Sequence, residues 1–88
     1  MLTRIDLIKY GKLKEIDLHG LSYEDARAVL LHEIYSADAD IDGLIVVHGY
    51  HKGQVLRNFI LHTFEHPRVY KKIKIDAGNT LLLIKKEM

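Results

Sequence analysis

The 88 residues contain no cysteine, so disulfides, zinc ribbons and thiol chemistry are excluded at once. Proline occurs once, as Pro67, and no apolar run approaches the length that spans a bilayer. The opening MLTRIDLIKYGK lacks the apolar stretch of a signal peptide, which makes a cytoplasmic location and no membrane partner the expectation. An excess of one charge is lacking too: the net charge is +1, which by itself argues for no particular partner. What is present, 48% hydrophobic and 28% charged residues, is the composition of one folded domain with a modest core.

Charge is unevenly distributed. Residues 1–44 carry five Lys/Arg against nine Asp/Glu, and residues 45–88 carry eight against three. Such asymmetry can mark a basic face for nucleic acid, or simply an uneven solvated surface.

Lys14–His19 alternates strictly, with Ile16 and Leu18 on one side and Asp17 and His19 on the other, the pattern of a strand with one covered face. Gly20 ends it. Ser22 is a good N-cap, Glu24 and Asp25 suit the first turn of a helix, and Ala26, Val29, Leu30 and Ile34 follow at helical spacing. Asp42-Gly43 turns into a second strand, Ile45-Val46-Val47. Such a crossover makes the two strands parallel, so Asp17 and His19 finish near whatever follows Val47. A second helix runs from Val55 to about Phe64 and stops before Pro67. Val69–Ile75 alternates as a strand, Asp76-Ala77-Gly78-Asn79 turns, and Thr80–Ile84 is an apolar strand. The order β-α-β-α-β-β predicts an α/β two-layer sandwich, with two helices on one face of a mixed four-stranded sheet. Residues 1–13 read as an N-terminal arm or an extra edge strand, with Ile5 and Leu7 alternating, and residues 14–88 as the domain.

The segment between the second strand and second helix, His48-Gly49-Tyr50-His51-Lys52-Gly53, packs two histidines, a lysine and two glycines into six residues. A strand, a glycine-bearing loop and a helix can aim backbone N–H groups at an anion, with Lys52 and Arg57 adding charge and Tyr50 stacking on an unpaired base. The plain alternative is a βα loop that uses glycine for its turn. Lys72 and Lys74 share one face of the third strand and could track a phosphate backbone on the open side of the sheet; lysines on an edge strand also simply prevent aggregation.

Together these residues resemble the Smr (small MutS-related) domain family. Ile16-Asp17-Leu18-His19-Gly20 is similar to its LDLHG motif. His48-Gly49 followed by Leu56-Arg57 is similar to its second motif, T/H-G-x-G and then L-R or L-K. Ala77-Gly78-Asn79-Thr80 is similar to its closing G-x-T. The likeness runs over about residues 14–86. It implies the fold of the C-terminal domain of the third bacterial translation initiation factor, and a domain that binds DNA or RNA and in several members cuts it. One departure stands out: His51 occupies the second glycine of G-x-G, and glycine returns only at Gly53. Where that glycine is needed for close approach to a phosphate, cleavage suffers before binding does.

The chemistry that fits is phosphodiester hydrolysis. His19 would act as acid or base, Asp17 would orient an imidazole or hold a metal-bound water, and His48 would add charge or proton transfer. Mg2+ or Mn2+ is the cofactor such a site would take, if it takes one. Convergence of His19, His48 and His51 with Asp17 on zinc has no tight ligand spacing behind it, so no metal ligand is assigned. The alternatives are a catalytically silent module that docks on nucleic acid or a ribonucleoprotein, and a protein-partner-binding domain.

Overall fold

The computed structural model describes residues 2–49 and 54–86. The expected elements are there, with one addition at the front. Helix α1 (Arg4–Ile8) precedes strand β1 (Leu13–Asp17), helix α2 (Tyr23–Ser36), strand β2 (Gly43–Val47), helix α3 (Gln54–Asn58, continued as a π-helix over Phe59–Thr63), and strands β3 (Val69–Asp76) and β4 (Asn79–Ile84). The four strands lie in the order β1-β2-β4-β3. β1 and β2 are parallel, while β4 runs antiparallel to both of its neighbours. The sheet is mixed and two-layered, as the element order predicts.

The main core lies under α2 and α3. Ile16 and Leu18 from the β1 end, Leu44 and Val46 from β2, and Leu82 and Ile84 from β4 meet Ala26, Leu30 and Ile34 of α2, and Leu56, Phe59, Ile60 and the C-cap Phe64 of α3 and its π-helical continuation. Ser22 caps α2 by accepting a hydrogen bond from the Asp25 N–H at 3.1 Å. The π-turn is the departure within the helix that begins as α3. The Phe64 N–H reaches back five residues to the Phe59 carbonyl (2.7 Å), and that extra residue per turn keeps both phenylalanines in the core with ring centres 5.5 Å apart.

Residues 4–8, read from the sequence as part of an arm or an extra edge strand, form a helix on the other face of the sheet. Thr3 and Asp6 make a reciprocal capping box at its start. The Leu2 N–H bonds the Ile75 carbonyl on β3, and the chain then crosses the sheet to reach β1. Leu2, Leu7 and Tyr10 thereby cover a second, smaller core of Ile75, Leu81 and Leu83. β4 is accordingly covered on both faces, which explains its unbroken apolar run.

Candidate functional site

The C-terminal end of β1, the end of β2 and the β3–β4 turn converge on one edge of the sheet. Asp17, Val47, Asn79 and Asp76 occupy one row across all four strands. Beyond that row the Leu18 N–H still bonds the Val47 carbonyl (2.8 Å) and Leu18 is buried, so β1's alternation continues and His19 falls on the side of Asp17.

Asp17 and His19 form a pair. Imidazole Nδ1 lies 2.5 Å from Asp17 Oδ1, and the His19 backbone N–H donates to the same oxygen at 3.1 Å. Both side chains are more than half exposed, 55% for Asp17 and 67% for His19. The two hydrogen bonds from His19, the side-chain one first, hold the Asp17 carboxyl below its ordinary range. A carboxylate only accepts, so Nδ1 carries the hydrogen and Nε2 is left as the accessible basic nitrogen.

Gly49 sits directly against this pair. Its φ is +76°, and a Cβ built there would lie 3.4 Å from the Cβ of His19. Gly78 abuts Gly49 in turn, with a Cβ at Gly78 falling 3.5 Å from the Gly49 Cα. The Gly78 carbonyl accepts from both the His48 N–H (2.9 Å) and the Gly49 N–H (3.1 Å). Those two amides clamp the β2 exit to the hairpin turn, and so they are not the anion donors that the loop pattern suggests. Asp76 holds the turn from below, its Oδ1 accepting from the Gly78 N–H at 2.9 Å and from Asn79 Nδ2 at 2.8 Å.

His48 points inward. It is 1% exposed; Nδ1 faces the Gly49 carbonyl at 2.9 Å and Nε2 faces the Thr80 hydroxyl at 3.0 Å. The carbonyl can only accept, so Nδ1 donates to it and Nε2 accepts from Thr80. Burial pushes the His48 pKa down, and the nearby Arg57 charge adds to this against the raising influence of Gly49 and Asp76. A neutral imidazole with both nitrogens engaged holds the loop in place and does not reach a ligand in this arrangement.

The remaining expected residues divide. Tyr50, His51, Lys52 and Gly53 lie outside the described residues. Arg57 is half-buried beside His48, and its Nε has no hydrogen-bond partner among the described residues. Lys72 and Lys74 do share a face, but it is the helix-covered face: Lys72 is in register with Leu82 and Lys74 with Thr80. Lys72 is 16% exposed, donates to the Phe64 carbonyl and lies 3.5 Å from Glu65, which ties it to the C-terminal end of the π-helical continuation of α3. Lys74 is exposed and stands one strand away from the Thr80–His48 contact. Among the described residues no three His, Asp or Glu side chains gather as a metal site, and no helix is long and apolar enough to cross a membrane.

The Smr domain family model matches residues 16–79. The chain belongs to the Smr domain family. Searches of curated proteins and of solved structures return no match. Smr domains bind nucleic acid, and endonuclease activity is known among them. The matched span begins at the first residue of the Asp17–His19 strand end and closes on the turn that clamps Gly49, so the Smr match and this edge of the sheet coincide. Helix α1 lies outside it. Gly78 and Thr80, which fix Gly49 and His48, belong to the closing G-x-T, but the sequence pattern assigns them no role. The signal for Thr80 was available: Leu44, Val46 and His48 alternate onto the core face, and a buried imidazole requires a partner.

Proposed function

We propose that this Smr domain binds DNA or RNA along the edge formed by the β1 end, the β2 exit and the β3–β4 turn, and that Asp17 and His19 act there on the phosphodiester backbone. The observation that carries the reading is the 2.5 Å contact between His19 Nδ1 and Asp17 Oδ1 on an exposed surface. Asp17 fixes the imidazole's orientation and tautomer, so His19 Nε2 takes a proton from the attacking hydroxyl, either water or an RNA 2′-OH. The hydroxyl oxygen then forms the new P–O bond as the old one breaks, and the proton on Nε2 is passed to the departing oxygen or to water. Gly49, lacking a side chain, leaves room for the backbone phosphate beside His19.

A silent docking role is favoured by a separate observation. The amides of His48 and Gly49 are both engaged by Gly78, which removes two donors that would otherwise stabilise a pentacoordinate phosphate.

Incubation with supercoiled plasmid and with a structured RNA, with and without Mg2+ or Mn2+, separates the two. Cleavage lost in Asp17→Ala and His19→Ala supports catalysis. Binding with no cleavage by the wild type leaves the docking role. Absence of both overturns the nucleic-acid reading.

A further inference from the structure

Between α1 and the Asp17 row lies a cleft of about 200 Å³, lined by Thr3, Arg4, Glu15, Asp76 and Asn79 over a floor that includes Ile45. Glu15 is in register with Ile45, two residues before Asp17 on the same strand, so the cleft opens beside the Asp17–His19 pair on the same face of the sheet. Its outer wall is the N-terminal segment that the Smr family model does not cover. The notch therefore joins residues outside the matched span, Thr3, Arg4 and Glu15, to residues inside it, Asp76 and Asn79.

The polar groups of the notch are available. Arg4 and Glu15 make no side-chain hydrogen bond or ion pair among the described residues, whereas Thr3 is occupied by the Asp6 capping box. Asp76 uses Oδ1 for Gly78 and Asn79, and Asn79 gives Nδ2 to Asp76, which leaves Asp76 Oδ2 and Asn79 Oδ1 as acceptors. The notch thus offers one guanidinium and a surplus of acceptors over an apolar floor. Two carboxylates here, Glu15 and Asp76, disfavour a phosphate within the notch. They favour a flat ring that presents N–H donors on one side and an acceptor on the other. Its volume also lies below that of ordinary drug-sized pockets, which suits a single base.

We propose that this notch is a subsite for an unpaired guanine flanking the phosphate that lies beside His19, an inference that rests on the nucleic-acid reading above. Glu15 accepts from guanine N1–H and N2–H, and Arg4 donates to O6 and N7. Ile45 supports the face of the ring. Because N1 and N2 belong to the Watson–Crick edge, the recognised nucleotide is single-stranded or extruded from a helix.

The test is fluorescence anisotropy with labelled oligothymidylates and oligouridylates carrying one central guanine, adenine or inosine, or none, each also presented as a duplex. The guanine strand is expected to bind roughly tenfold tighter than the adenine strand, with inosine between them because it lacks N2–H. Glu15→Gln and Arg4→Gln, both substitutions of exposed side chains, should reduce that preference to about twofold or less while keeping affinity for the strand without guanine. The duplexes should show no guanine preference. His19→Ala should retain the preference while losing any cleavage. Equal affinity for guanine and adenine strands, or a preference that survives both substitutions, overturns the subsite and leaves the nucleic-acid reading standing. Failure of every oligonucleotide to bind overturns both.

Discussion

Asp17 Oδ1 receives two hydrogen bonds from one residue, His19, through its imidazole Nδ1 at 2.5 Å and its backbone N–H at 3.1 Å. The double contact fixes both the ring and the backbone that carries it. Substituting Asp17 by Asn keeps the size but removes the charge that holds the hydrogen on Nδ1, so cleavage should fall by roughly a hundredfold or more, as it does when a positioned base is lost. His19→Ala should fall at least as far. Binding to an uncleaved oligonucleotide should change by less than about threefold in either variant, since neither removes a phosphate-binding cation.

The pH dependence of folding should show two separate windows. His48 is buried neutral, with its pKa pushed down chiefly by desolvation. The unfolded chain therefore takes up a proton near its ordinary value of about 6.5 while the folded chain does not. Stability from this group is complete above that value and is lost as pH falls through the lowered folded value. Asp17, held below the carboxylate range by His19, contributes stability that is present above about pH 4 and lost only in stronger acid. Urea midpoints measured from pH 8 to pH 3 should fall in both windows. Thr80→Val removes the hydroxyl that His48 Nε2 accepts from, and it should cost about 1–2 kcal/mol at neutral pH, seen as a drop in Tm of several degrees. His48→Gln should flatten the upper window and leave the lower one intact.

How much of this was legible in the sequence depends on the periodicity each segment carries. β1 has one covered face, so strict alternation separated Asp17 and His19 from Ile16 and Leu18 correctly. The same rule, extended past Val47, places His48 inward with Leu44 and Val46, whereas the glycines that follow give it the look of a loop residue. The β1-β2-β4-β3 order follows from a contrast the sequence does carry, an apolar run in Leu81–Ile84 against lysines in Val69–Asp76, central strand against edge strand. α1 is not legible from periodicity, because Ile5 and Leu7 mimic a two-residue period over so short a segment. Thr3 and Asp6, at capping-box spacing, were the better guide. Contacts such as Gly78 with His48 and Gly49 join residues about thirty apart, and no local pattern announces them.

Gly49 is required for its backbone conformation and for the space beside His19. With φ at +76° and a prospective Cβ 3.4 Å from His19 Cβ, Gly49→Ala is strained and crowds the imidazole. The expected cost is about 1–2 kcal/mol of stability, read from urea unfolding, together with reduced cleavage. Gly20→Ala, also at positive φ but with nothing near its prospective Cβ, should cost similar stability with a smaller effect on cleavage. Equal effects of the two substitutions on cleavage would remove the case for close packing at Gly49.

Lys72 and Lys74 sit two residues apart on one face and should nevertheless behave differently. Lys72 is mostly buried and donates to the Phe64 carbonyl, where the π-helical continuation of α3 ends. Lys72→Ala strips that carbonyl of its donor, so the loss should appear in stability, roughly 1 kcal/mol, and scarcely in affinity. Lys74 is exposed beside the Thr80 row, on the helix-covered face opposite Asp17 and His19, where a nucleic acid that wraps over this edge of the sheet would pass. Lys74→Ala should leave Tm unchanged, weaken binding to all sequences alike, and lower the slope of log affinity against log salt by about one. If Lys72→Ala changes the slope and Lys74→Ala does not, the nucleic acid runs over the end of the α3 continuation, and the path proposed along the sheet edge is wrong.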